Sequence, residues 1–356
     1  MSGGVLVNYV SSVNSASDAN GHTASHSNPS CLHKGSGRIR HFSSAAILAI
    51  AILLCACEAR LNLSGVEDTL NQPIRRTDQL MVLEHVGETL IMLGNDGLLL
   101  RRPIEGEVWQ RDQLGDAGNH PDFIGGAVCG DGSLVALSYQ ADVWHSHDQG
   151  ESWQIYSLPT DEDVQDIDCT KNNELWIVGS FSTMLHSSAA GQEWEVTTLD
   201  EDAMLTAVTF PSAEQGYSAG EFGLLAVTKD AGNSWIVVDR IGDEFYPLAV
   251  HFDLSGNGWV GGLQGVIMRS RDGGESWERT ETPTESPIYN FFMVGEKLIA
   301  TGDQGVILQW SEGAWRKVET PDIPTYFRAG VALDNQRALI AGGWGVLLRL
   351  SLDASL

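Results

Sequence analysis

Apolar residues in this chain come in short runs separated by glycine-bearing turns, and the same order of runs returns along most of its length. One copy reads Leu248–Asp253, Gly258–Gly261 and Val266–Ser270, with a further strand starting near Trp277. Runs of this length with no sustained helical period predict β-strands. The third run opens on Gly265 and leads into Ser-x-Asp-x-Gly-x-Ser-Trp, here Ser270 to Trp277. Copies end at Asp230–Trp235 and Asp148–Trp153, and worn copies at Trp194, Trp315 and Trp109. Aligned on the residue that opens the third run, Gly97, Ala141, Ser182, Gly223, Gly265, Gly305 and Gly345 recur at intervals of 44, 41, 41, 42, 40 and 40 residues. A period of about 40 residues with four strands is that of a propeller blade. The fold class predicted is all-β, a seven-bladed β-propeller of four-stranded antiparallel blades. The seventh copy lacks a fourth run, and a segment near 59–65 is expected to supply it and cover the bare sheet edge.

The aspartates of the box, Asp148, Asp230 and Asp272, suit a structural role in the turn before the outer strand, accepting backbone N–H bonds. Trp153, Trp235 and Trp277 are expected to bury their rings between blades.

Three segments follow. Residues 1–33 are rich in Ser, Asn, Gly and His with one charged residue, and predict no core. Residues 34–57 carry Lys34, Arg38 and Arg40, then the apolar run Ala45–Leu54, in the pattern of a signal peptide. The run is short for a membrane span. Its end, Leu54-Cys55-Ala56-Cys57, resembles a bacterial lipoprotein box with Cys57 as the lipid attachment site. Glu58, following it, leans by the same resemblance toward the outer membrane, on the periplasmic side or the cell surface. Residues 58–356 hold the propeller. Cys129 and Cys169 fall in nearly the same register as Phe210, Phe252 and Phe292. Sheets about 10 Å apart would leave them as two buried thiols.

Charge narrows the partners. With 21 Lys and Arg against 47 Asp and Glu, the net charge is −26, which argues against nucleic acid. Removing residues 1–56 takes away three basic residues and one acidic residue and leaves −28. The loops joining one repeat to the next share one face of a propeller and differ most between repeats. They predict an acidic, aromatic-studded rim for a protein partner: Asp122 and Phe123; Glu162, Asp163 and Asp166; Asp202; Asp243, Glu244 and Tyr246; Tyr289; Tyr326, Phe327 and Arg328.

Enzymatic patterns are few. Gly216-Tyr217-Ser218-Ala219-Gly220 spells a nucleophile elbow but lies on a predicted strand with no helix after it. No paired-histidine zinc motif, phosphate-binding loop or CxxC occurs, so no catalytic residue, cofactor or metal is assigned.

The box matches the Asp-box, or BNR, repeat. Gly258-Trp259-Val260-Gly261-Gly262 with Gly265-Val266-Ile267-Met268-Arg269-Ser270 is similar to the repeats of the photosystem II assembly or stability factor family, over about residues 75–350. The resemblance implies a monomeric, non-enzymatic, lipid-anchored scaffold or assembly factor that binds a protein partner, such as an envelope membrane-protein complex. The acidic surface and lack of a basic patch point away from a photosynthetic role. BNR repeats also occur in sialidases and glycosidases, so the alternative is a carbohydrate-active enzyme or glycan-binding module using the acidic rim. The sialidase Arg-Ile-Pro motif has only a scrambled counterpart, Arg101-Arg102-Pro103-Ile104.

Overall fold

A computed structural model of the chain describes residues 6–9, 70–188, 190–238, 240–242 and 245–352. Two compact units divide the chain, one of Met1–Ser11 with Pro73–Leu356 and one of Ser12–Gln72; most of the second lies outside the described residues. So do Cys57 and the lipoprotein box.

The first unit is a seven-bladed propeller of four-stranded antiparallel sheets. The innermost strands are Leu80–Val86, Phe123–Val128, Val164–Cys169, Leu205–Thr209, Pro247–Phe252, Ile288–Val294 and Phe327–Ala332. In six blades the outer strand follows the third in sequence. In the seventh, the outer place beside Leu347–Ser351 is taken by Leu6–Tyr9, with Leu6 opposite Ser351 and Tyr9 opposite Leu348. The strand filling that place is thus not 59–65, a segment outside the described residues.

Burial follows strand position. The second strands are sandwiched on both faces: Leu134–Ser138, Leu175–Gly179, Gly216–Gly220 and Gly258–Gly262 are buried throughout. Outer strands face solvent, and Glu195–Thr198 is exposed at every residue. The core is therefore a set of interfaces between blades rather than one central mass. Phe210, Phe252 and Phe292 are buried in those interfaces.

All seven residues used to align the repeats sit at positive φ, from 50° at Ser182 to 71° at Gly223 and Gly305. They occupy the second position of the turn between second and third strands. In six blades the residue before is also at positive φ, which makes a two-residue hairpin loop whose twist matches the strands. The turn closes on Leu98 N–H donating to Asn95 O (3.1 Å) in blade 1 and Val266 N–H to Leu263 O (3.2 Å) in blade 5. Glycine is favoured for a second reason: a Cβ at Gly97 would sit 2.2 Å from the Leu114 carbonyl oxygen, and one at Gly345 2.1 Å from that of Arg75.

Cys129 and Cys169 form a disulfide with Cα atoms 5.0 Å apart, correcting the expectation of two thiols. The spacing of stacked sheet faces does not apply at this place. Each cysteine ends or follows an innermost strand, where the turns of blades 2 and 3 converge. Asp131 N–H donates to Asn173 Oδ1 (2.8 Å), and a Cβ at Gly130 would lie 2.1 Å from the Lys171 carbonyl oxygen. The bridge closes a loop with a sequence separation of 40. Chain-entropy arguments give such a loop about 4 kcal/mol at 25 °C. Urea unfolding of the oxidised and reduced protein is expected to show a lower midpoint on reduction, with a loss of unfolding free energy of that order. Alkylation without reductant should label neither Cys129 nor Cys169.

Candidate functional site

The innermost strands leave one edge unpaired, and on blade 4 N–H groups of that edge turn toward the neighbouring blade 3. Buried N–H groups need acceptors. Asp166 and Asp168 of blade 3 supply them to blade 4: Asp166 Oδ2 accepts from Val208 N–H (2.9 Å) and Asp168 Oδ2 from Phe210 N–H (2.6 Å). Glu84 of blade 1 lines the same cavity, of about 590 Å³, with Gln165, Thr206, His251, Asn290 and Arg328.

Burial pushes the three carboxyls up, and how far depends on their donors. Glu84, with no such donor among the described residues and the Asp168 charge nearby, is raised to about 8. Burial raises Asp166 to about 7, with the Val208 N–H and the Arg328 charge opposing. Asp168 rises to about 6, also by burial, held lower by the N–H groups of Phe210 and Cys169. Burial lowers His251.

At one mouth of the channel, Arg328 stacks on Tyr289 at 4.5 Å, and Tyr289 meets Tyr326 edge-on at 6.5 Å. The Tyr326 hydroxyl donates to Gln79. These three sequence-predicted residues are therefore brought together. Tyr246 lies half-buried, its hydroxyl donating to Glu221 Oε1 (3.1 Å). Asp163 and Asp202 are exposed on neighbouring loops, and Glu162 is half-buried. Asp122 is exposed and accepts from Asp96 N–H of blade 1 (2.9 Å).

Two expected rim aromatics sit elsewhere. Phe123 and Phe327 are 1% and 0% exposed and pack into inter-blade cores. Each is the first residue of an innermost strand, where side chains turn away from the channel, and the next residue, Ile124 or Arg328, lines it. Asp166 belongs to the channel wall rather than the loop rim. Asp243 and Glu244 lie outside the described residues.

The Asp-boxes occupy the opposite face. Asp148 accepts from Ser152 N–H (2.8 Å) and Oγ (2.6 Å), and Asp230 from Ser234 N–H (2.9 Å) and Oγ (2.6 Å). Asp272 accepts from Ser276 N–H (2.9 Å) and Ser270 Oγ (2.8 Å). These bonds, with Ser276 foremost, hold Asp272 down at about 2. The Trp277 ring meets Phe252 edge-on at 5.8 Å, and Trp235 meets Phe210 likewise at 5.8 Å. Trp153 packs against the core between blades 1 and 2. Ser218 is fully buried on its strand and donates to Ala207 O (3.1 Å), so no exposed nucleophile stands there.

Sequence reasoning missed the channel carboxylates Glu84 and Asp168, which sit mid-strand rather than in loops. It also missed the exposed residues at the tips of the hairpins between second and third strands. The signal was present one position before each aligned residue, at Phe181, Phe222 and Trp344.

The chain compares with known proteins as follows. Residues 145–244 match the family model described as Photosynthesis system II assembly factor YCF48. A photosystem II assembly lipoprotein Ycf48 from Synechococcus sp. (strain RCC307) is 40% identical over 67 residues, 18% of this chain and 20% of that protein. Its counterpart in strain CC9605 is 37% identical over 65 residues, with the same shares. The matched stretch thus spans about a fifth of the length of these curated relatives. Among solved structures, YCF48 bound to D1 peptide aligns with a TM-score of 0.65 at 15% identity, covering 79% of this chain and 94% of that one. A streptogramin B lyase aligns at 0.69 and 11% identity, covering 80% and 96%. At these identities the structures establish the fold.

The two acid sets titrate with opposite effect on stability. Glu84, raised on folding, favours the folded state below its ordinary range, and that contribution is lost as pH rises through about 8. Glu84→Gln is expected to match the natural protein near pH 4 and to exceed its melting temperature near pH 9. Asp272, lowered on folding, contributes above its ordinary range and loses that contribution as pH falls through about 2. Asp272→Ala should therefore melt lower than the natural protein at neutral pH, with the gap closing in strong acid. The aligned repeats, the closed ring and the matched stretch together make this chain a BNR-repeat propeller that resembles the photosystem II assembly factors.

Proposed function

We propose that this chain is a non-enzymatic, lipid-anchored scaffold or assembly factor that binds a protein partner at a bacterial envelope membrane, the outer membrane foremost. The observation that carries this reading is the match of residues 145–244 to the assembly-factor model. It runs from the third strand of blade 2 into the loop after blade 4, and so includes the acidic positions of three rim loops, at Glu162 and Asp163, at Asp202, and at Asp243 and Glu244. The relatives named as lipoproteins support an anchor at Cys57, and the relative solved with a peptide supports a protein segment as ligand. Lipidation tethers a protein to a membrane surface without a span.

The binding face carries the loops between blades. A rigid scaffold presents them, as propellers commonly do with function. At its centre Arg328, Tyr289 and Tyr326 offer a guanidinium and two phenol rings at the channel mouth. Aromatics and arginine are the side chains that dominate protein interfaces. Processing at Cys57 would remove Leu6–Tyr9 and bare the edge of Leu347–Ser351.

The test uses tagged full-length protein recovered from detergent-solubilised membranes. A membrane protein is expected to co-purify at fixed stoichiometry and to be lost, about tenfold, with Tyr289→Ala/Arg328→Ala. Cys57→Ala should move the protein from the membrane to the soluble fraction. Turnover in a broad glycan-hydrolysis screen, abolished by one acid-to-amide change on the rim, would replace this reading with the carbohydrate-active one.

A further inference from the structure

The hairpin turns between second and third strands point to the same face as the loops joining blades. Four consecutive blades carry a large apolar residue there: Tyr139, Phe181, Phe222 and Leu263, exposed by 65, 61, 60 and 41%. Blades 1 and 6 carry Asn95-Asp96 and Asp303-Gln304 instead, and blade 7 carries Trp344.

Phe181 (φ 51°) and Phe222 (φ 58°) hold the first position of their two-residue turns, in the left-handed region. Asn, Asp or Gly is the ordinary choice there, and blade 1 has Asp96. A bulky aromatic is disfavoured in that conformation. It is disfavoured a second time by exposure of its ring to water. Neither ring is part of the buried core, and strain of this kind collects at binding surfaces.

Acidic loops alternate with these tips. Asp161 and Asp163 lie in the loop joining blade 2 to blade 3, and Asp200 and Asp202 in the loop joining blade 3 to blade 4; all four are exposed. One cation already sits among them. Arg240 bonds Glu201 at 3.0 Å and stands 6.0 Å from the Phe222 ring centre. The surface thus shows on itself how it holds a guanidinium, by a carboxylate on one side and an aromatic face on the other.

We propose that the tips of blades 2 to 5, with the acidic loops that join blade 2 to blade 3 and blade 3 to blade 4, dock a partner protein segment that carries cationic and apolar side chains together. This rests on the protein-binding reading above and names the chemistry of the partner. Charge complementarity favours a cationic chain over a membrane of anionic lipid, which an acidic face repels.

Fluorescence anisotropy with the full chain tests the assignment, using three labelled synthetic peptides of equal length built from Lys and Leu, Lys and Gly, and Glu and Leu. The Lys/Leu peptide is expected to bind about tenfold more tightly than the Lys/Gly peptide, with no binding of the Glu/Leu peptide. Phe181→Asn/Phe222→Asn should weaken the Lys/Leu peptide by about tenfold while melting at the same or a higher temperature, since Asn accepts the left-handed turn. That separates loss of binding from loss of fold. Leu254→Ser, on the opposite face at a site 80% exposed, should change nothing. The proposal is overturned if the Asn variant binds as well as the natural protein, or if Lys/Gly binds as well as Lys/Leu. It is also overturned if zwitterionic vesicles sediment the protein in a Phe181/Phe222-dependent way, which would make the tips a lipid contact. Co-purification of a membrane protein undisturbed by the Asn variant would sink this surface and leave the scaffold reading standing. Peptide binding with no co-purifying partner would do the reverse.

Discussion

One backbone position per repeat holds this propeller together. The residue that opens each third strand is at positive φ, and in most blades it is bonded to the connection that leads to the next blade; Ala141 instead donates to Ser138 O of its own hairpin (3.1 Å). In blades 1, 3 and 6 its N–H donates into the entry of the next blade: Gly97 to Pro121 O (2.7 Å), Ser182 to Ala203 O (2.6 Å), Gly305 to Thr325 O (2.6 Å). Its carbonyl accepts from the preceding outer strand's exit, as Leu114 N–H to Gly97 O (2.7 Å) and Ile241 N–H to Gly223 O (2.9 Å). The same clamp closes the ring, because Gly345 of blade 7 donates to Asp78 O before blade 1 (2.7 Å). Asp78 is itself fixed by a two-point ion pair with Arg111 at 2.7 and 3.0 Å, and its burial makes that pairing obligatory. Blade geometry and ring closure are thus one constraint repeated.

That constraint explains what the sequence made legible. Glycine, or a small residue, is demanded by φ and by a carbonyl oxygen within 2.5 Å of the would-be Cβ, so the position survives even in worn repeats. Seven strand groups, their order and the buried phenylalanines follow from it. The box is similarly legible, because a short acid satisfying two N–H and O–H donors has few substitutes. The worn copy at Ser187 shows the limit: Gly191 N–H still bonds Ser187 Oγ at 2.9 Å without any aspartate.

What stayed hidden was decided by depth rather than by type. Phe123 and Phe327 sit beside loop residues in sequence, but a strand alternates faces, and a shift of one residue separates a rim position from a core position. Tyr289 and Arg328, each one residue into an innermost strand, face the channel for the same reason. Cys129 and Cys169 misled because sheet spacing was applied to turn ends, where Gly130 lets two backbones approach. A side-chain pairing set by such convergence has no local sequence signature.

The face that carries the clamps is also the face left free to vary. The clamped residue is fixed, so variation is pushed to its neighbour, which shares the left-handed turn but whose side chain makes none of the clamp bonds. Blade 1 spends that freedom on Asp96, blade 6 on Gln304, and blades 3, 4 and 7 on Phe181, Phe222 and Trp344. An aspartate there relieves the turn, whereas an aromatic strains it and exposes a ring. Stability alone would have filled every tip as blade 1 is filled. The uneven filling places strain on chosen blades and leaves the scaffold untouched, because no clamp bond involves those side chains. A propeller built this way can remodel its binding face without endangering its fold. The acidic channel wall, whose Asp166 and Asp168 hold blade 3 to blade 4 through N–H bonds, has no such licence.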